Sequence, residues 1–126
     1  MNRNIIYKFR GIPQFGTDFV YGSLEEHWGE GCKKLYDIRN NDSGLTIYRV
    51  KKESVGQFTG EFDKNKKQIY QGDIIRLNSD DKEIYNVEFT MGCFVLINED
   101  SWIAFNLIKS RQLEVINYAL SEKADE

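Results

Sequence analysis

Val55-Gly-Gln-Phe-Thr-Gly-Glu-Phe-Asp-Lys-Asn-Lys-Lys-Gln-Ile-Tyr-Gln-Gly-Asp-Ile-Ile75 is the stretch on which the fold turns. It holds two short apolar runs, a polar apex at Asp63-Lys64-Asn65-Lys66, then Ile69-Tyr70, a Gly72-Asp73 turn and a further apolar run. That alternation of apolar segments with turn residues reads as β-strands joined by tight turns. Gly56, Gly60 and Gly72 supply backbone conformations closed to other residues, and Asp63 and Asp73 bond nearby backbone amides. Gly72 is expected at positive φ, with Asp73 starting the next strand. Phe58, Ile69, Tyr70 and Ile74 then fill the space beneath. A functional reading of the same residues has Gln57, Thr59, Tyr70 and Asp73 projecting polar groups into a shared groove.

Strand signals continue in both directions. Ile5 to Arg10 and Phe19 to Leu24 read as an antiparallel pair, with Pro13 and Gly16 punctuating the connection. Glu25 to Asp42 is the least legible part, because Gly29 and Gly31 break any helix, and Lys34 to Arg39 suits a short strand or a helical turn equally. Asn40-Asn-Asp-Ser-Gly44 is a loop whose side chains bond their own backbone. Leu45 to Val50 is strand-like. Tyr85, Val87 and Phe89 alternate with polar neighbours and are expected to share one packed face. Cys93 to Ile97 is a continuous apolar run suited to burial on both faces. Ala104 to Arg111 is spaced for two turns of helix, Leu113 to Tyr118 reads as a closing strand, and residues 119–126 as a frayed tail.

Composition agrees with a β-rich globular chain. At 126 residues, it fits one domain that buries roughly two thirds of its unfolded surface. Seven tyrosines and eight phenylalanines against a single proline favour half-buried pleated surfaces. No run reaches the roughly 20 apolar residues that span a bilayer. The N-terminus meets charge too early for a signal-peptide core, so the expected location is the cytoplasm. The net charge of −3, from 17 basic and 20 acidic residues, disfavours nonspecific coating of nucleic acid. The lysines cluster at Lys33-Lys34, Lys51-Lys52 and Lys64 with Lys66-Lys67, in separate segments. Cys32 and Cys93 stand alone and read as small buried side chains.

Chemistry is sparse. The one histidine, His27, lies beside Trp28 with no cysteine at zinc-like spacing, so neither a metal site nor a Ser-His-Asp triad is expected. No glycine pattern of a phosphate-binding loop is present. The carboxylate pairs Glu25-Glu26, Asp80-Asp81 and Glu99-Asp100 sit in or beside loops, where solvated charge is the usual state. The chain is read as noncatalytic, without metal or cofactor. Interaction is the better case, because Tyr and Trp bury much area at low rotamer cost. Trp28, Tyr36, Tyr48, Tyr70 and Trp102 are the aromatic candidates. The interaction face is drawn through Tyr48, Gln57, Thr59, Tyr70, Asp73 and Trp102.

The central stretch, together with Ile6-Tyr-Lys-Phe-Arg-Gly11, Val20-Tyr-Gly22, Tyr85-Asn-Val-Glu-Phe89, Gly92-Cys-Phe94 and Leu113-Glu-Val-Ile116, resembles the YopX-like proteins of phages and prophages. The resemblance implies a mostly β fold with a small barrel of the SH3 type and little helix. Residues 51–118 would form the barrel, and residues 1–50 a β-hairpin extension of the same single domain. It implies a phage-derived accessory role without a defined activity. The leading expectation is a noncatalytic module that binds an unknown protein partner, with self-association, and without a membrane. A nucleic-acid-binding barrel is the second reading and an enzyme the third. The family places a glycine after the Asp63-Lys64-Asn65 segment, where this chain has Lys66, so the apex is expected either to widen or to carry its left-handed residue at Asn65. Beyond Ile116 the family's glycine and proline-containing ending is replaced by Asn117-Tyr-Ala-Leu-Ser-Glu122.

Overall fold

Alternating β-branched and aromatic residues bounded by Gly, Asn and Asp do build strands throughout. The protein, a computed structural model, is described over residues 7–42, 44–77, 84–105 and 113–118. It is mainly β. The strands are β1 (Phe9–Gly11), β2 (Val20–Trp28), β3 (Lys34–Asn40), β4 (Thr46–Val50), β5 (Gly56–Phe62), β6 (Gln68–Tyr70), β7 (Asp73–Arg76), β8 (Ile84–Thr90), β9 (Cys93–Ile97), β10 (Trp102–Ala104) and β11 (Glu114–Tyr118). Three-residue 3-10 turns at Glu30–Cys32 and Lys52–Ser54 interrupt them. The chain divides into two compact units, Met1–Gln57 and Phe58–Glu126, with the division inside β5.

In the first unit the order is β4-β3-β2-β1-β5, all neighbours antiparallel. The expected N-terminal pair is antiparallel, with Phe9 opposite Gly22, but its first strand covers Phe9–Gly11 rather than residues 5–10, of which 5 and 6 lie outside the described residues. Glu25 to Asp42, illegible in sequence, continues β2 and forms β3, the two joined by a turn with left-handed Gly31 (φ 71) and Cys32 (φ 61). The sheet curls. The continuation of β1 meets the far edge strand, where Gln14 N–H donates to Arg49 O at 2.9 Å and Lys51 N–H donates to Ile12 O at 2.8 Å. Ile12, Ile38 and Val50 are buried inside the curl. Buried Ser54 fastens the seam: its hydroxyl accepts the Ile12 N–H at 2.7 Å and donates to Lys51 O at 2.7 Å.

In the second unit β7, β8, β9 and β10 run as an antiparallel meander, and β11 returns to pair with β7. Ile69, Ile75, Tyr85, Val87, Leu96, Phe105 and Leu113 form its core, each aliphatic side chain contributing about 1.5–3 kcal/mol by leaving water. The period of two in β8 holds for Tyr85 and Val87. Phe89, next in that period, stands opposite Phe94 across the ladder and is 46% exposed, because cover runs out near the Met91-Gly92 turn. Its ring meets Phe94 edge-on at 4.9 Å. In β9, Val95 and Leu96 are fully buried as the apolar run implied. Both cysteines correct the expectation of burial: Cys32, ending the first 3-10 turn, and Cys93, opening β9, are exposed free thiols. Ala104 ends β10, and the rest of the helix expected to Arg111, from residue 106 on, lies outside the described residues.

The central motif behaves as its turn chemistry implied, with two corrections. Gly60 and Gly72 adopt φ 92 and φ 96, whereas Gly56 is not left-handed. The left-handed residue at the apex is neither widened away nor placed at Asn65; it is Lys66, at φ 67. An L-residue pays about 1 kcal/mol there, which glycine avoids at some entropic cost in the unfolded chain. Lys66→Gly is therefore expected to stabilise the protein by about 0.5 kcal/mol, read as a higher melting temperature. An unchanged or lower value would show that the apex is relaxed with lysine.

Candidate functional site

Strand register in the first unit sorts β2, β3 and β4 into two faces, since directly opposed residues project to the same side. One face aligns Glu25 with Asp37 and Asp37 with Arg49. It is a charge network. Asp37, nearly buried, accepts the Arg49 Nε–H at 2.5 Å, and His27 Nε2 lies 3.2 Å from its other oxygen. Glu25 takes Arg39 Nη1 at 3.2 Å and stands 3.5 Å from His27 Nε2. The hydrogen bond to Asp37 raises the Arg49 pKa, keeping the guanidinium charged. Among the described residues the polar side-chain partners of His27 are these two carboxylates, so the network is suited to tying strands together.

The opposite face aligns Trp28 with Lys34, Glu26 with Tyr36, and Tyr36 with Val50. Trp28 is 72% exposed. Lys34 Nζ sits 5.8 Å from the Trp28 ring and 5.7 Å from the Tyr36 ring, within cation–π reach of both. Its ammonium pairs with Glu26 at 2.6 Å, and that hydrogen bond raises its pKa. Alongside, the start of β3 and the end of β4 frame an open cleft of about 440 Å³. Lys33, Lys34, Arg49, Lys51 and Lys52 line it, against the single carboxylate of Glu53, with Leu35, Tyr36 and Val50 as apolar wall. Two lysine clusters read as separate in sequence thus meet at one cleft, because antiparallel pairing puts the beginning of β3 beside the end of β4.

The six residues drawn as an interaction face are distributed differently. Tyr48 and Gln57 belong to the first unit, half-buried in β4 and exposed in β5. In the second unit Trp102 is 55% exposed on edge strand β10. Thr59 spends its hydroxyl on Ile69 O at 2.8 Å. Tyr70 and Asp73 are not on an open face at all, being 2% and 1% exposed. Asp73 accepts the Tyr70 N–H at 2.8 Å, and the Tyr70 hydroxyl donates to Gln68 at 2.8 Å. Asp73 bonding a nearby amide and Tyr70 packed beneath the turn are as the structural reading of the motif had them. Sequence reasoning named Trp28 and Tyr36 as aromatic candidates but left them off the face. The usable signal was a dibasic pair at each end of one strand–loop–strand segment.

Asp63 is the other polar residue of the motif to be buried. Its Oδ1 accepts the N–H groups of Asn65 at 2.8 Å and Lys67 at 2.9 Å, and its Oδ2 accepts the N–H of Val115 at 2.9 Å. No group of three His, Cys, Asp or Glu residues placed to hold a metal occurs among the described residues, and no described helix is long and apolar enough to cross a membrane.

No curated protein matches the chain. A family model does: YopX protein, over residues 8–118, which takes in the turn motif, the curled first unit and the five-stranded sheet of the second. The protein is a member of the YopX family.

Proposed function

We propose that the protein is a noncatalytic interaction module, an accessory protein of phage or prophage origin acting in the cytoplasm, that binds a protein partner through the first unit. The observation that carries this is the exposed Trp28 ring within reach of Lys34, whose ammonium also reaches the Tyr36 ring, Lys34 and Tyr36 both lining the cleft. A solvent-facing tryptophan next to tyrosine and cations is the composition of an interface anchor, with large area and little rotamer entropy to lose. Polar groups elsewhere that catalysis would call on, at Asp37, Asp63 and Asp73, are taken up by strands and turns. A small barrel of the SH3 type, with self-association, belongs to the same reading; its support is the run of short antiparallel strands around one buried cluster.

Affinity capture from host-cell extract, with and without nuclease, tests it. A specific protein is expected to survive nuclease treatment and to be lost with the Trp28→Ala/Tyr36→Ala variant. Recovery that nuclease abolishes would replace this reading with nucleic-acid binding. Equal recovery by the variant would remove the first-unit face from consideration.

A further inference from the structure

We infer that the lysine-lined cleft between the start of β3 and the end of β4 is the docking site for an extended acidic segment of a partner protein. The inference rests on the proposed interaction role and adds the partner's chemistry. Five cations and one carboxylate line the cleft, within a chain whose overall charge is −3. With Arg49 and Lys34 paired to Asp37 and Glu26, the lysines Lys33, Lys51 and Lys52 still outnumber Glu53. The excess is therefore local, and a field of one sign in a cleft concentrates ligands of the other.

The cations are not equivalent. Arg49 is committed to Asp37, and Lys34 to Glu26. Lys51 reaches back to Gly16 O at 3.4 Å. Lys33 and Lys52 have no ion-pair or side-chain hydrogen-bond partner among the described residues, and both are exposed. Open ammonium groups from two separate segments match several carboxylates on one chain better than a single small anion. Leu35 and Tyr36 in the wall, with Trp28 beside Lys34, offer apolar and aromatic surface for side chains between those carboxylates.

Nucleic acid fits less well. The guanidinium that would grip a phosphate with two parallel hydrogen bonds is already held by Asp37. Glu53 stands in the lining, and the net negative charge opposes the long phosphate track that supplies nonspecific affinity.

The test uses a fluorescent peptide of about 12 residues alternating Glu or Asp with Leu or Phe, long enough to lie extended in a groove. Its controls are the same peptide with Gln and Asn for every acid, and an oligothymidylate of similar length. Fluorescence anisotropy at about 0.15 M salt, where distant surface charges are screened, is expected to show binding of the acidic peptide and at least about tenfold weaker binding of the amide version. Lys33→Gln/Lys52→Gln is expected to weaken the acidic peptide by a similar factor without moving the melting temperature, because neither side chain holds the fold. Equal binding of the two peptides, an unaffected double variant, or tighter binding of the oligonucleotide would each overturn the inference. Should the acidic peptide fail while capture still depends on Trp28 and Tyr36, the partner is not acidic and the interaction role survives. Failure of both removes both.

Discussion

Gly22→Ala is expected to destabilise the protein by about 3 kcal/mol or more, at the upper end for overpacking. At Gly22, β2 stops pairing with β1 and starts pairing with β3, since Gly22 faces Phe9 and Ser23 faces Arg39. The corner brings two backbones together. A Cβ on Gly22 would overlap the Arg39 carbonyl oxygen and lie 2.8 Å from its carbon. Backbone in a paired strand cannot swing aside as a side-chain tip does, so relief requires opening the β2–β3 ladder. For domains of this size each kcal/mol moves the melting temperature by roughly 4 °C or more, and a fall of at least about 12 °C is expected. Gly29→Ala is the control. Its added Cβ meets Leu35 Cδ1 at 2.9 Å, the end of a flexible side chain, and should cost far less. Comparable losses for the two variants, or an unchanged melt for Gly22→Ala, would mean that the corner is looser than described.

Asp63→Ala is expected to cost about 3 kcal/mol, because three backbone N–H groups lose their acceptor at once. Two of them, Asn65 and Lys67, lie on the exposed apex and recover water. The third, Val115, is part-buried and lies 52 residues further along the chain. Charge-assisted bonds to a carboxylate are stronger than neutral ones, so Asp63→Asn should fall between wild type and alanine. The discriminating readout is hydrogen exchange at the Val115 amide, which should accelerate in both variants. If the Val115 amide keeps its protection in Asp63→Ala, the tie between the apex and β11 does not carry stability. The neighbouring Lys64 N–H donation to Leu113 O at 2.9 Å would then be holding the contact alone.

The two variants separate what local reading reaches from what it does not. Asp63 was identified from sequence as a residue that bonds nearby amides, and two of its three partners are nearby. The third depends on where β11 falls, which no pattern around residue 63 encodes. The same division runs through the candidate site. Trp28, Tyr36 and the lysine pairs were each visible as residue types, whereas their meeting at one cleft is a consequence of β3–β4 pairing. Tyr70 and Asp73 were equally visible, and polar enough to be drawn on a surface. Their burial follows from what packs over the turn, including the Phe58 ring 5.4 Å from that of Tyr70.

From sequence alone came the mainly β class, most of the strands, the left-handed Gly72 and the family. All of these depend on short-range physics: the two-residue period of a strand, the few residues tolerant of positive φ, and side chains that bond their own backbone. Only the tertiary structure decided that Lys34 to Asn40 would be a strand and not a turn of helix, that Lys66 would take the left-handed position without being a glycine, and that β1 would run on to meet β4. The reason is common to the three. A strand is stable only in a ladder, and the partner that completes the ladder lies elsewhere in the chain, so pairing across the sheet outweighs the local preference of any residue within it.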